Sequence, residues 1–390
     1  MRTKYLVAAL SAVALTACTN DEVMEVNRGR GITFQVATEA STRATATTTN
    51  NINEFKVWGY TQETPAKELM KDLAVTKTGN TWGYTGTIYW PAAAVDFYSV
   101  SPGNTAVSIS STSQTIPGFT VNTNQANQVD LLYAVNKGET KDATNSAVKI
   151  NFRHALSQIV FKAKNTNENL LVKIKGVEIV HINQKGDFTY PAFSTTTQNT
   201  EADGTITANT QGTWNNVATS TTFAAGITEK ELDGVVNTAV DLTTTNEDEV
   251  YTGALFMIPQ QLTAWNPKTE SIGNTTGVYF LVDCQMMSGT NKDVIVWPTE
   301  PKEEGAYDPD EDGDGYGKVA IPASALTWEQ GKKYVYTFIF GEGGGYIPDP
   351  EDPDPDPTLY GISFTVTVDN FINGFDPESE GNVDMTTGEE

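Results

Sequence analysis

Gly31-Ile32-Thr33-Phe34-Gln35-Val36-Ala37 alternates apolar and polar residues with period two. That is the pattern of a strand with one buried and one solvated face, Ile32, Phe34 and Val36 lying together on the buried side. Short strands of this kind recur along the 390 residues while helix-period segments are scarce, so the chain reads as all-β. Just downstream, Thr38 to Arg43 is small and polar, a composition open to proteases. A trypsin-like cut between Arg43 and Ala44 would take the strand away. A sheet that loses a strand is left with an apolar groove and an unpaired edge, which a strand of another chain can fill.

Upstream, Leu15-Thr16-Ala17-Cys18 closes a segment with Arg2 and Lys4 ahead of an apolar run from Tyr5 to Leu15. That layout is a secretory signal, and a Cys directly after small residues makes it a bacterial lipoprotein signal whose thiol is acylated. Two or more acyl chains hold a protein on a bilayer durably, whereas one is marginal. Residues 1–18 therefore read as a signal ending at the lipid attachment residue Cys18, and residues 19–43 as a propeptide that carries the strand.

The formal net charge of −24 argues against nucleic acid as a partner of the body. Of two cysteines, Cys18 is spent on lipid, so no disulfide framework is expected. Cys284 shares an apolar face with Val278, Phe280, Val282 and Met286 and reads as a small buried hydrophobe. Thr64-Pro65-Ala66-Lys67-Glu68-Leu69-Met70 is the one place where a short helix is expected, with Thr64 as cap and Pro65 in the first position.

Strands are expected at Asn53–Tyr60, Val95–Val100, Asp130–Val135, Val148–Phe152 and Ser157–Lys164, and at Leu170–His181 with a break at Gly176. Thr189 to Glu249 is mostly polar and reads as loops and weak edge strands. Lys333–Phe340 is the strongest strand of the second half. Pro348 to Pro357 alternates proline with acid and reads as an extended spacer, reaching about 30 Å at about 3.1 Å per residue. Beyond it Ile362, Phe364, Val366 and Val368 alternate with polar residues, a tethered terminal strand.

Several motifs in order resemble the fimbrillin family, lipoprotein-derived pilus subunits of Bacteroidia. They are Leu15–Cys18, Thr42-Arg43-Ala44, Ile88-Tyr89-Trp90-Pro91 running into Asp96-Phe97-Tyr98, Phe152-Arg153-His154-Ala155-Leu156-Ser157, and Trp328-Glu329-Gln330-Gly331-Lys332-Lys333-Tyr334-Val335-Tyr336. The resemblance implies two tandem transthyretin-like Greek-key β-sandwich domains, placed at residues 44–155 and 156–390. It further implies an outer-membrane lipoprotein precursor, cleavage after Arg43 with Arg28 and Arg30 as competitors, and polymerisation with other fimbrial subunits by donated strands. Strand exchange is then expected to involve Ile32, Phe34 and Val36 as the strand removed and Ile362, Phe364, Val366 and Val368 as the strand donated. The rival reading is a monomeric surface lipoprotein that keeps its own strands and binds glycan or host protein; a tip adhesin is a further alternative.

Asp308, Asp310, Asp312 and Asp314 place oxygen ligands at alternate positions and match the first half of a calcium loop. Position twelve falls on Val319 or Ile321, so the bidentate acid is missing, and a solvated acidic loop competes with calcium here. No enzyme is expected: His154 and His181 lie in separate strand contexts without a nucleophile motif. Trp214 and Trp265, amid polar sequence, are the candidates for exposed sugar-stacking contacts.

Overall fold

The computed structural model describes residues 26–36, 52–141, 147–192, 210–245, 251–299, 307–310, 312–352, 354–358, 361–370 and 382–383. Cys18, Arg43 and Ala44 lie outside these residues. Among those described the protein is all-β, without an α-helix.

The first half contributes β1 (Val26–Gly31), β2 (Phe34–Val36), β3 (Glu54–Thr61), β4 (Glu68–Thr78), β5 (Thr81–Gly83) and β6 (Tyr89–Pro91). It continues with β7 (Val95–Ser101), β8 (Ser108–Ile109), β9 (Gln114–Thr120), β10 (Leu132–Glu139), β11 (Val148–Ile150) and β12 (Arg153–His154). One sheet runs in the order β12-β10-β7-β3-β4-β5. Over one face lie two ribbons, β1 antiparallel to β6 and β2 parallel to β11. Ile32, Phe34, Trp90, Val148 and Ile150 of that layer share a core with Phe55, Val57, Phe97, Leu132 and Ala134 of the sheet. The other face, carrying Trp58, Tyr60, Tyr98, Val100 and Tyr133, belongs to the core of the second half. Both faces are therefore apolar, which explains why these strands are richer in aromatics than a one-sided strand needs.

The helix expected around Thr64–Met70 is absent. Glu68 onward is strand β4, which pairs antiparallel with β3. Its register slips between the Val57–Leu73 and Gly59–Met70 pairs, and Asp72 there has φ 49. A bulge inserts one extra residue, so the apolar spacing departs from two and imitates a helical period. Met70 and Val75 both still reach the core.

The second half adds β13 (Ser157–Asn165), β14 (Leu171–Thr189), β15 (Thr213–Ala224), β16 (Lys230–Asp233), β17 (Val236–Asp241) and β18 (Leu255–Met257). Then come β19 (Tyr279–Ser288), β20 (Val294–Trp297), β21 (Gly317–Pro322), β22 (Lys332–Phe340), β23 (Ile362–Asn370) and β24 (Asn382–Val383). One sheet is β17-β13-β22-β23-β24 with β18 also on β13; the facing sheet is built around β14 and β19. Strand β14 runs through Gly176 unbroken, with bulges that absorb the irregularity. Its length lets two halves share it. Near its start β14 pairs with β19, and near its end with β9, which comes from the first half. The polar stretch after Thr189 includes β15 and β16, both hydrogen-bonded to β14.

The proline–acid spacer is not extended. Ile347 N–H donates to Asp356 O at 2.9 Å and Thr358 N–H to Gly345 O at 2.8 Å, so its two ends are held together. Tyr346 exchanges two backbone hydrogen bonds with Ala320, both 2.9 Å, and its ring packs on Trp265. These anchors outweigh the local preference of alternating prolines for an open helix.

Candidate strand-exchange interface

The amino-terminal segment crosses its layer in one pass and changes partner midway. Through Gly31 it pairs with β6; from Phe34 it pairs with β11, Phe34 opposite Val148, Gln35 opposite Lys149 and Val36 opposite Ile150. The junction is stitched by Ile32 N–H donating to Ile88 O and Val148 N–H donating to Thr33 O, each 2.8 Å. Tyr84 hydroxyl donates to Ile32 O at 2.8 Å. Burial pushes the Tyr84 phenol up, opposed by the hydrogen bond it accepts from the Ile88 amide, so it stays a donor at neutral pH.

Phe34 is the centre of the seat. Phe97 meets it edge-on at 5.5 Å between centroids, Phe55 edge-on at 6.2 Å, and Tyr84 at a tilt and 6.0 Å. Ile32 and Phe34 are both buried, while Thr33 and Gln35 face solvent, as the period-two pattern requires. Strands β6 and β11 pair with no strands but β1 and β2 among the described residues. Loss of everything before Ala44 would therefore strip both ribbons of a member and leave two unpaired edges over one apolar floor.

At the other end, β23 lies antiparallel along all of β22, from Ile362 opposite Phe340 to Asn370 opposite Lys332. Ile362, Phe364 and Val366 are buried and Val368 packs partly against the same core. Phe364 touches Phe280, Tyr336 and Phe338, with centroids 5.4, 5.8 and 6.4 Å away. The strand expected on a tether is thus stowed in its own sheet.

The remaining candidates are separate from these two seats. Asp310 carboxylate accepts from the Asp314 and Gly315 amides, Asp308 from the Asp310 amide, and Asp314 from the Tyr316 amide while also pairing with Lys175. Local amides and a lysine thus take up Asp308, Asp310 and Asp314, and among the described residues no group of three or more His, Cys, Asp or Glu is gathered to hold a metal. Trp265 is buried, its indole N–H donating to Glu270 O at 2.7 Å. Trp214 packs on Phe119 and Phe188 and donates to Ala155 O at 2.8 Å. Neither is an exposed platform: polar neighbours in sequence are not neighbours in space. His154 is buried with Nδ1 2.9 Å from Asp130, and Cys284 is buried with its thiol pushed up by desolvation.

What sequence reading missed is the role of Tyr84, which both walls the Phe34 seat and clamps Ile32; its position after the Gly79 turn carried no signal. A family model described as fimbrillin-like matches residues 42–351. The fimbrium subunit Fim1C of Phocaeicola vulgatus is 25% identical over 191 residues, covering 41% of this chain and 50% of that protein. The chain thus spans about half the length of that curated relative. A crystal structure of a fimbrial protein from Bacteroides vulgatus aligns with a TM-score of 0.52 at 15% identity, covering 88% of this chain and 99% of that one.

Proposed function

For a chain that belongs to the fimbrillin-like family, we propose the role of a fimbrial structural subunit that is exported as a lipoprotein, cut after Arg43 and joined to its neighbours by strand exchange. The observation that carries the reading is that one segment ahead of Arg43 supplies a member to both ribbons over the first sheet. Its removal exposes a floor already shaped for Ile32, Phe34 and Val36. The acceptor is that groove, and the donor is the terminal strand Ile362, Phe364, Val366 and Val368, which presents a like row. Each large apolar side chain so buried contributes roughly 1.5–3 kcal/mol before ordering costs.

The intact chain fills both seats itself, so the cut acts as a gate. Donation also requires β23 to leave β22 and the hairpin holding Ile347 to Asp356 to open, which gives the reach that the spacer lacks when folded. Two tandem transthyretin-like Greek-key sandwiches, with the crossing between His154 and Ser157, are the domain arrangement that goes with this reading. Adhesion at the cell surface, with host protein or glycan as target, and outer-membrane anchoring through Cys18 complete it.

The test is N-terminal sequencing of protein sheared from cells, combined with an Arg43→Ala variant. Sheared polymer should begin at Ala44 and resist detergent at room temperature, and Arg43→Ala should leave lipidated monomers. Arg43→Ala polymers with an intact amino terminus would refute the gate and favour a surface lipoprotein that keeps its own strands.

A further inference from the structure

Two hexapeptides at opposite ends of the chain match: Gly31-Ile32-Thr33-Phe34-Gln35-Val36 and Gly361-Ile362-Ser363-Phe364-Thr365-Val366. Gly, Ile, Phe and Val coincide in place, and the two differences fall at the alternate, more exposed positions. In the folded chain the two segments hold equivalent seats in different sheets. Ile32 and Ile362 are each 1% exposed, Phe34 and Phe364 4% and 7%. Each Phe stands among three aromatic rings, Phe55, Tyr84 and Phe97 in one case and Phe280, Tyr336 and Phe338 in the other.

The leading glycines match in kind as well. A Cβ on Gly31 would come 2.8 Å from Thr87 Cγ2, and one on Gly361 1.8 Å from Gly343 O. Real side chains do not approach so closely, so any strand that takes the seat of residues 31–36 in full needs its glycine one place before the Ile. A slip of one residue would turn every apolar side chain to the wrong face. A slip of two would put Phe against the Ile site and a bulky residue against Thr87.

Resting on the strand-exchange reading above, we propose that the partner for the vacated groove is a second copy of this chain, seated in one fixed register. Residues 361–366 take the places of residues 31–36 one for one: Gly361 beside Thr87, Ile362 at the Ile32 site, Phe364 between Phe55, Tyr84 and Phe97, and Val366 opposite Ile150. The strand runs in the direction of β2, parallel to β11. Self-recognition then comes from the chain carrying a copy of its own plug. The uncut plug is covalently attached and outcompetes any neighbour by effective concentration, so the same likeness that selects the partner also keeps the precursor closed.

The register is testable because Gln35 is the partner of Lys149 in the folded chain. Thr365 of one copy must come opposite Lys149 of the next. The full chain carrying Lys149→Cys and Thr365→Cys, cut after Arg43 with a trypsin-like protease and mildly oxidised, should give a ladder of disulfide-linked oligomers. The single variants should give none, and Lys149→Cys with Thr367→Cys far less. Lys149 and Thr365 both lie outside the core, and circular dichroism before the cut verifies folding. In a second arm, a synthetic peptide of residues 26–36 present during the cut should cap growth, while a scrambled peptide should not. Oligomers that form without the 149–365 link would overturn the fixed register and leave strand exchange standing. Absence of oligomers from the cut wild type would remove both.

Discussion

Phe34→Ala should loosen β2 and little else. Phe34 is buried and held by three rings, and truncating such a phenylalanine costs about 3–5 kcal/mol. The loss falls on the docking of residues 31–36, because the walls, Phe55, Tyr84 and Phe97, keep their own strand pairings. At 1.4 kcal/mol per factor of ten, opening of this segment becomes roughly a hundredfold to a thousandfold more frequent. Two amides report it, Val148 N–H bonded to Thr33 O and Ile32 N–H bonded to Ile88 O, both at 2.8 Å. Hydrogen exchange on the uncut chain should show both protons exchanging faster by that factor, while amides between β13 and β22 stay protected. Variant polymer assembled from cut subunits should be as stable as wild type, since the residue has been discarded. Unchanged exchange at Val148 would mean that β2 is not held by its aromatic seat, and the groove argument would fail with it.

Cys284 should be inert to an aromatic disulfide reagent at pH 8 in the folded, processed protein and react fully once denatured. Burial raises its pKa, so the neutral thiol persists through the pH range where an unfolded cysteine begins to ionise; fast labelling of folded protein would refute its burial. For the loop Asp308–Asp314, melting curves with calcium and with chelator should coincide, because Asp308, Asp310 and Asp314 already serve backbone amides and Lys175. A calcium-dependent rise abolished by Asp310→Ala with Asp312→Ala would instead establish a metal site.

The alternation of Ile32, Phe34 and Val36, of Tyr334, Tyr336 and Phe338, and of Ile362, Phe364 and Val366 determined, without any coordinates, that these segments are strands and which side of each is apolar. Pleating is local: successive side chains point to opposite faces whatever sheet they join. The burial of Cys284 was legible for the same reason, since it sits in step with Phe280 and Val282. Which edges meet was not legible. Strand β14 is shared by β9 and β19, the proline–acid spacer folds back because Tyr346 binds Ala320, and β4 is a strand because a bulge at Asp72 disturbed its period. Each depends on hydrogen bonds between residues far apart in the chain, and sequence period carries no information about distant partners. The likeness of residues 31–36 to residues 361–366 stands in the sequence, but its meaning came from tertiary structure. Only there do Phe34 and Phe364 prove to occupy two aromatic seats of the same kind, one of which a cut after Arg43 would empty.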